Sequence, residues 1–239
     1  MKIIKLECFT SYAGIHKYFP ISPANKFIPD WFRSIPPKVK KVENFGLESD
    51  MSTIKRCEGF NNLYSRGLVI PMWSDLLIET DENGGYKYQY SGAFDSIASA
   101  QPVTHHSSSQ LGNNFPDHIH VKLLVPWFIR EKTGVDFYYS ENTWGIKHLF
   151  DNITIPPGVL NFKNQHGAHI NLFLKNENSK LIIKYNTPLV HCIPLSDAKL
   201  EIKNYLVSGQ EFKHLSHIAS YRFSFTSTYK KKLKLLQGK

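Results

Sequence analysis

The sequence predicts a mainly β protein, an antiparallel β-sandwich of jelly-roll type, and two observations carry that expectation. Aromatic residues make up 13% of the chain, with 12 Tyr and 16 Phe against only 3 Met, a bias that suits the pleated, half-buried surface of strands. From Leu68 onward, about eight or nine short apolar runs recur at roughly ten-residue spacing, with turn residues between them. A βαβ fold would separate its strands with long helical periods instead. The expected topology is double-stranded β-helix-like, with a few short helices and an irregular, proline-rich N-terminal segment.

MKIIKLECF opens the chain as a strand. FPISPANKFIPDWFRSIPPKVKK follows, and five of the 13 prolines fall in it, interrupting either regular period. Within it, Asp30-Trp31-Phe32-Arg33 makes one helical turn bounded by Pro29 and Pro36-Pro37, and Trp31 and Phe32 anchor it to the main body. RCEGFNNLYSRG reads as a short helix stopped at Gly67. LVIPMWSDLLIET and YKYQYSG flank DENGG, whose Asn-Gly step signals a hairpin. HIHVKLLVPWFIR and VDFYYS flank EKTG, a second hairpin by the same logic. HLFDNITI, GVLNFKN, AHINLFLK, KLIIKY and LVHCIPL complete the strands, separated by PPG, QHG, NENS and NTP. Ser208-Gly-Gln-Glu211 then has capping-box form. Beyond it Tyr221, Phe223 and Phe225 alternate with Ser and Arg as on a strand, so the expectation is helix at the start and at the lysine-rich end.

A length of 239 residues fits one domain. Residues 1–67 form the irregular segment packed on the sandwich, 68–195 its core, and 196–239 an extension with a basic tail. The stretch from Lys17 to Lys41 has too few apolar residues to bury a core of its own.

Formal net charge is +9 with a pI near 9.3, which raises nucleic acid as a partner. Lys230, Lys231, Lys232, Lys234 and Lys239 supply five of those nine charges, leaving a body of ordinary charge. The tail is expected to make only weak, salt-sensitive contacts with phosphates. Three cysteines, Cys8, Cys57 and Cys192, contain no C-x-x-C pair and read as free thiols of a reducing compartment. Lys5 and Glu7 interrupt the apolar core a signal peptide would need, and no run approaches the roughly 18 apolar residues of a membrane span. A soluble, cytoplasmic protein is expected, with no membrane partner. The aromatic, strand-rich surface points to a homo-oligomer.

Phosphate-loop, dinucleotide, nucleophile-elbow and H-E-x-x-H signatures are all missing from the sequence. What remains is histidine, with 11 copies. His118 and His120, two apart on a strand, point to one face. In cupin-type enzymes such a pair meets a distant histidine to hold a metal with open positions for substrate. Here His166 and His169 are the downstream candidates, and His118, His120 and His169 the alternative metal set, for a divalent transition metal and a small-molecule oxygenase. Against it, Lys122, Leu123 and Leu124 stand where a cupin supplies its carboxylate, and Asp117 faces the other way. The leading expectation is therefore a wet strand face, no cofactor and no catalytic residue. His105-His106 reads as an exposed loop, and Asn152-Ile153-Thr154 is a glycosylation sequon in form only. Trp73, Trp127 and Trp144 offer a stacking platform for sugars or bases, or else belong to the core.

Taken together, IPDWFRSIP, TIKRCEGF, GLVIPMWSDLLIE, VPWFIREKTGVDFYYS, TPLVHCIPL and YKKKLK resemble a family of uncharacterised proteins of tailed phages of marine bacteria, cyanophages in particular. The resemblance spans most of the chain in order. It departs at His191, where that family has Gln, and at Leu195, where it has Phe. It implies a phage-related origin and a β-sandwich, with other virion or host proteins as partners, and carries over no catalytic residue.

Overall fold

The computed structural model describes residues 2–42, 48–91, 103–105, 108–112, 114–142, 153–175 and 177–220. The first elements are β1 (Ile3–Thr10), α1 (Ala13–Tyr18), β2 (Ser22–Pro23), α2 (Asp30–Ser34), β3 (Lys38–Val42), β4 (Glu48–Ser52) and α3 (Glu58–Ser65). There follow β5 (Leu68–Pro71), β6 (Leu76–Thr80), β7 (Tyr86–Tyr90), β8 (Val103–His105), β9 (His118–Leu123), β10 (Phe128–Glu131) and β11 (Asp136–Glu141). The last are β12 (Ile153–Thr154), β13 (Gly158–Asn161), β14 (Ile170–Lys175), β15 (Ser179–Ile183), β16 (Pro188–Pro194), β17 (Lys199–Leu206) and α4 (Gly209–Ser220).

The protein is mainly β, as its composition predicts. Its strands form sheets ordered β10–β1–β17, β13–β11–β16–β5–β2, β12–β14–β9–β8, β15–β6–β7 and β3–β4. Among the described residues, every pairing is antiparallel except β1 with β17, which run parallel from Ile3 beside Lys199 to Thr10 beside Leu206. One hydrophobic core collects Ile4, Leu6 and Cys8 of β1, Leu68 and Ile70 of β5, Val121 of β9, Phe137 of β11 and Leu172 of β14. Period-two alternation sets this up. In β1 the core residues interleave with Lys5 and Glu7, which face outward.

Three expectations need correction. The N-terminal segment does not merely lie on the sheets, because β1 is the central strand of one and β2 the edge of another. Asn204 locks the two together, accepting from Ile21 N–H (3.1 Å) and donating to Ile21 O (3.0 Å). The C-terminal extension begins with a full strand, β17, whose Leu200, Glu201, Ile202 and Lys203 alternate as β1 does. Finally, LVIPMWSDLLIET is two strands. Its run turns at Met72–Asp75, where Met72 N–H donates to Thr187 O (2.7 Å) and the Asp75 carboxylate accepts from Tyr185 N–H (2.8 Å). β5 and β6 thereby enter different sheets.

The α4 helix begins where the capping box places it, with Glu211 N–H donating to Ser208 Oγ at 3.1 Å. Its Phe212 and Leu215 cover Phe9 and Phe128 on the outer face of β1 and β10. The lysine-rich tail and the Tyr221–Phe225 alternation lie outside the described residues. A second satellite cluster joins Phe32 of α2 to Phe60 and Tyr64 of α3, the two front rings stacked at 4.9 Å. Trp31 stands edge-on to both, so the aromatic pair ties this segment to α3 rather than directly to the main core.

Candidate functional site

The β9–β14 register decides how the histidines meet. Phe173 stands opposite His120, Lys175 opposite His118 and Asn171 opposite Lys122. On this outward face the His120 ring stacks on Phe173, with centroids 4.8 Å apart and planes within 16°. Its Nε2 donates to Asn171 Oδ1 at 3.2 Å. An amide oxygen can only accept, so Nε2 carries the hydrogen in this contact. His120 is 7% exposed, whereas His118 is exposed and stands edge-on to Phe115 (6.4 Å) and Phe173 (6.5 Å). The wet-face expectation therefore holds for His118 and needs correction for His120. Period two gives both the same direction, but Phe173 covers only one of them.

His169 does not join them. It lies four residues before Phe173 in the chain, so it is offset from His120 by about 13 Å at roughly 3.3 Å per residue of strand. Metal ligands need to approach one ion to about 2.0–2.1 Å. His169 stands beside Lys122 instead, and burial first, then that lysine's charge, lowers its pKa to about 4. Its Nδ1 has no hydrogen-bond partner. His166 lies in the loop between β13 and β14, beside β10: it is buried, stacks on Phe128 at 4.5 Å and donates from Nδ1 to Ile129 O at 3.0 Å. Among the described residues, no three His, Cys, Asp or Glu side chains stand close enough to share a metal ion.

Trp73 and Trp127 are each 3% exposed and pack in the main core. They offer no open stacking surface, because Trp73, two residues after β5, and Trp127, immediately before β10, are both turned into the core. Trp144 lies outside the described residues, as do His106 and Asn152. His105 is exposed, with Nδ1 3.5 Å from Tyr86 Oη. Cys8 and Cys192 are buried free thiols and Cys57 an exposed one; burial pushes both buried thiols well above the ordinary range.

Two features were not singled out from the sequence. A shallow cleft of about 240 Å³ opens between α4 and β10, beside Arg130, Lys132 and Lys163. Its charges are partly engaged already: Arg130 Nε donates to Glu7 at 3.0 Å and its guanidinium lies over the Phe9 ring. The other is an apolar row on the outer face of β13, β11 and β16. Tyr138 sits between Val159 and Ile193 in register, and Leu195 N–H donates to Asp136 O at the end of the same row. Val159, Tyr138 and Leu195 are 57%, 41% and 60% exposed. Alternation would have found it, since Phe137 and Tyr139 face inward. On the other part of that face Tyr64 of α3 stacks over His191, whose Nε2 donates to Arg66 O at 2.8 Å.

No known family, curated protein or solved structure matches the chain. No helix among the described residues is long and apolar enough to cross a membrane.

Proposed function

We propose that this chain is a phage-type β-sandwich protein of jelly-roll organisation that acts by binding other proteins, in the virion or at the host, rather than by catalysis. One observation carries the reading: the exposed row of Val159, Tyr138 and Leu195 on a rigid sheet face. Tyrosine and aliphatic side chains held on adjacent strands supply contact area at little cost in side-chain entropy, the composition of interface centres. The contribution of strands from several sheets to one core supports the sandwich. The producing cell's cytoplasm is the place of synthesis in this reading, and the particle its destination.

Mass spectrometry of purified particles from a phage carrying the gene tests the role. The chain should be present in stoichiometric amount, and a Tyr138→Lys, Val159→Lys phage should yield particles lacking it while the protein still accumulates folded in infected cells. Wild-type particles free of the chain would remove the virion assignment. Normal incorporation of the double variant would remove this face from it.

A further inference from the structure

We propose that β17 is a self-association edge, through which two copies of this chain pair antiparallel about Ile202 to make one continuous sheet. The inference stands on strand geometry and charge and does not depend on the phage reading.

β17 ends its sheet, with β1 on one side and no strand on the other among the described residues. Lys199 N–H donates to Lys2 O (3.1 Å) and Val207 N–H to Thr10 O (3.0 Å). Lateral direction alternates along a strand, so the odd-numbered residues of β17 bond to β1. Leu200, Ile202, Asn204 and Leu206 turn their N–H and C=O groups away from it. Strand edges of this kind template a further strand. The edge carries no proline and no bulge, and it is the full length of the longest pairing among the described residues.

Charge and strand overlap together select the register: an axis at Leu200 would also set Lys199 against the partner's Glu201, but it overlaps only residues 199–201 of each strand, whereas an axis at Ile202 overlaps residues 199–205. Outward side chains run Lys199, Glu201, Lys203 and Tyr205, and Lys203 Nζ already lies 3.3 Å from Glu201 of its own strand. Lysines on an edge ordinarily repel a second edge. A twofold axis at residue 201 would set Lys199 against the partner's Lys203 and Glu201 against the partner's Glu201. An axis at 203 would oppose the two copies of Lys203. Centring the axis on Ile202 sets Glu201 against the partner's Lys203 and Lys203 against the partner's Glu201, both as closely spaced non-hydrogen-bonded pairs. In that register Leu200 and Asn204 exchange bonds with the partner's Asn204 and Leu200, and Ile202 with its own copy, about six hydrogen bonds at two per pair.

The apolar side chains agree. Leu200 and Ile202 are only partly buried, lining a cleft of about 370 Å³ on the inward side. Pairing brings the two Ile202 side chains together there. It also sets Leu206, 50% exposed, against the partner's Ala198. A C2 edge pairing of this kind is self-complementary and closes at two copies.

The test uses the full chain in light scattering across a concentration series, with charge variants. The expected wild-type species is a dimer of 27.5 kDa chains. Glu201→Lys and Lys203→Glu should each weaken it about tenfold, their mixture should form heterodimers, and the Glu201→Lys, Lys203→Glu double variant should regain the wild-type constant. Ile202→Pro removes an outward N–H without touching the β1 ladder and should give a monomer that still unfolds cooperatively. A wild-type monomer at every concentration overturns the proposal, as does a dimer indifferent to both charge changes. So does a dimer that forms only after residues 221–239 are deleted, because the chain's own tail would then be the occupant.

Discussion

Two turns in this protein share their chemistry and differ in what they join. DENGG, between β6 and β7, and EKTG, between β10 and β11, each place an acidic side chain against backbone N–H groups ahead of a glycine with positive φ. In the first, Asp81 Oδ1 accepts from Asn83 (2.8 Å) and Gly85 (2.9 Å), and Gly84 has φ of 80°. In the second, the Glu131 carboxylate accepts from Thr133 (2.6 Å), Gly134 (2.7 Å) and Val135 (3.3 Å), and Gly134 has φ of 84°. Yet only the first is a hairpin. β6 pairs with β7, whereas β10 pairs with β1 and β11 with β13 and β16. Turn chemistry fixes a change of direction; the neighbours waiting on either side decide which strands meet. The difference shows in burial, for Asp81 is exposed and Glu131 only 1% exposed.

Burial separates the two carboxylates most sharply in energy. Removing a buried acceptor of three N–H groups leaves those donors without partners, whereas exposed donors recover water. Glu131→Ala should therefore cost about 3–4 kcal/mol, and Asp81→Ala about 1 kcal/mol. Urea unfolding of the two variants measures both. Equal losses would mean that the corner at Glu131 is as wet as the hairpin, and the comparison would fail.

The same contrast shows how far the sequence was legible. The β-rich class, the DENGG hairpin and the Ser208 cap were readable, because each is decided within a few residues. The β9 strand was readable too, but not the fate of its histidines, since His120 is covered by Phe173 from 53 positions away. Why β10 leaves β11 is non-local in the same way. Ile129 N–H donates to His166 O (2.8 Å) and Glu131 N–H to Phe162 O (3.2 Å), so a loop occupies the edge a hairpin partner would have used. The described residues do not bring His118, His120 and His169 together, and the cause is register, which no spacing in one strand reveals. β17 was legible by its alternation, Leu200 and Ile202 against Lys199, Glu201 and Lys203.

Acid should act on the buried side of the comparison. The loop that seals the Glu131 corner runs on to His169, neutral in the folded protein with a pKa near 4, whereas free histidine titrates near 6.5. Between those values the unfolded chain binds the extra proton, so stability rises with pH there. It is fully present above about 6.5 and is lost as pH falls towards 4, an effect on the order of 2 kcal/mol for a group this buried. Burial lowers His191 as well, in the same sense. Hydrogen exchange at pH 7 and 5 should show weakened protection of β14 and the 162–169 loop, with β6 and β7 following only the global change. A His169→Gln variant that kept the wild-type dependence of stability on pH would assign the slope elsewhere.

Backbone conformation gives the smallest and most even effect. Gly84 and Gly134 occupy nearly the same left-handed region, at φ of 80° and 84°, where an added Cβ costs about 1 kcal/mol whatever surrounds it. At Gly134 that Cβ would meet Lys163 Cδ at 3.3 Å, and then Lys163 Nζ. This is the flexible stem of an exposed lysine, which moves aside. Gly84→Ala and Gly134→Ala should thus lose similar stability, within about 0.5 kcal/mol of each other, although Glu131 and Asp81 differ severalfold. A much larger loss at Gly134 would mean that the corner tolerates no shift of its three N–H groups away from Glu131. The extra burial of the second turn would then reside in its backbone as well as in its carboxylate.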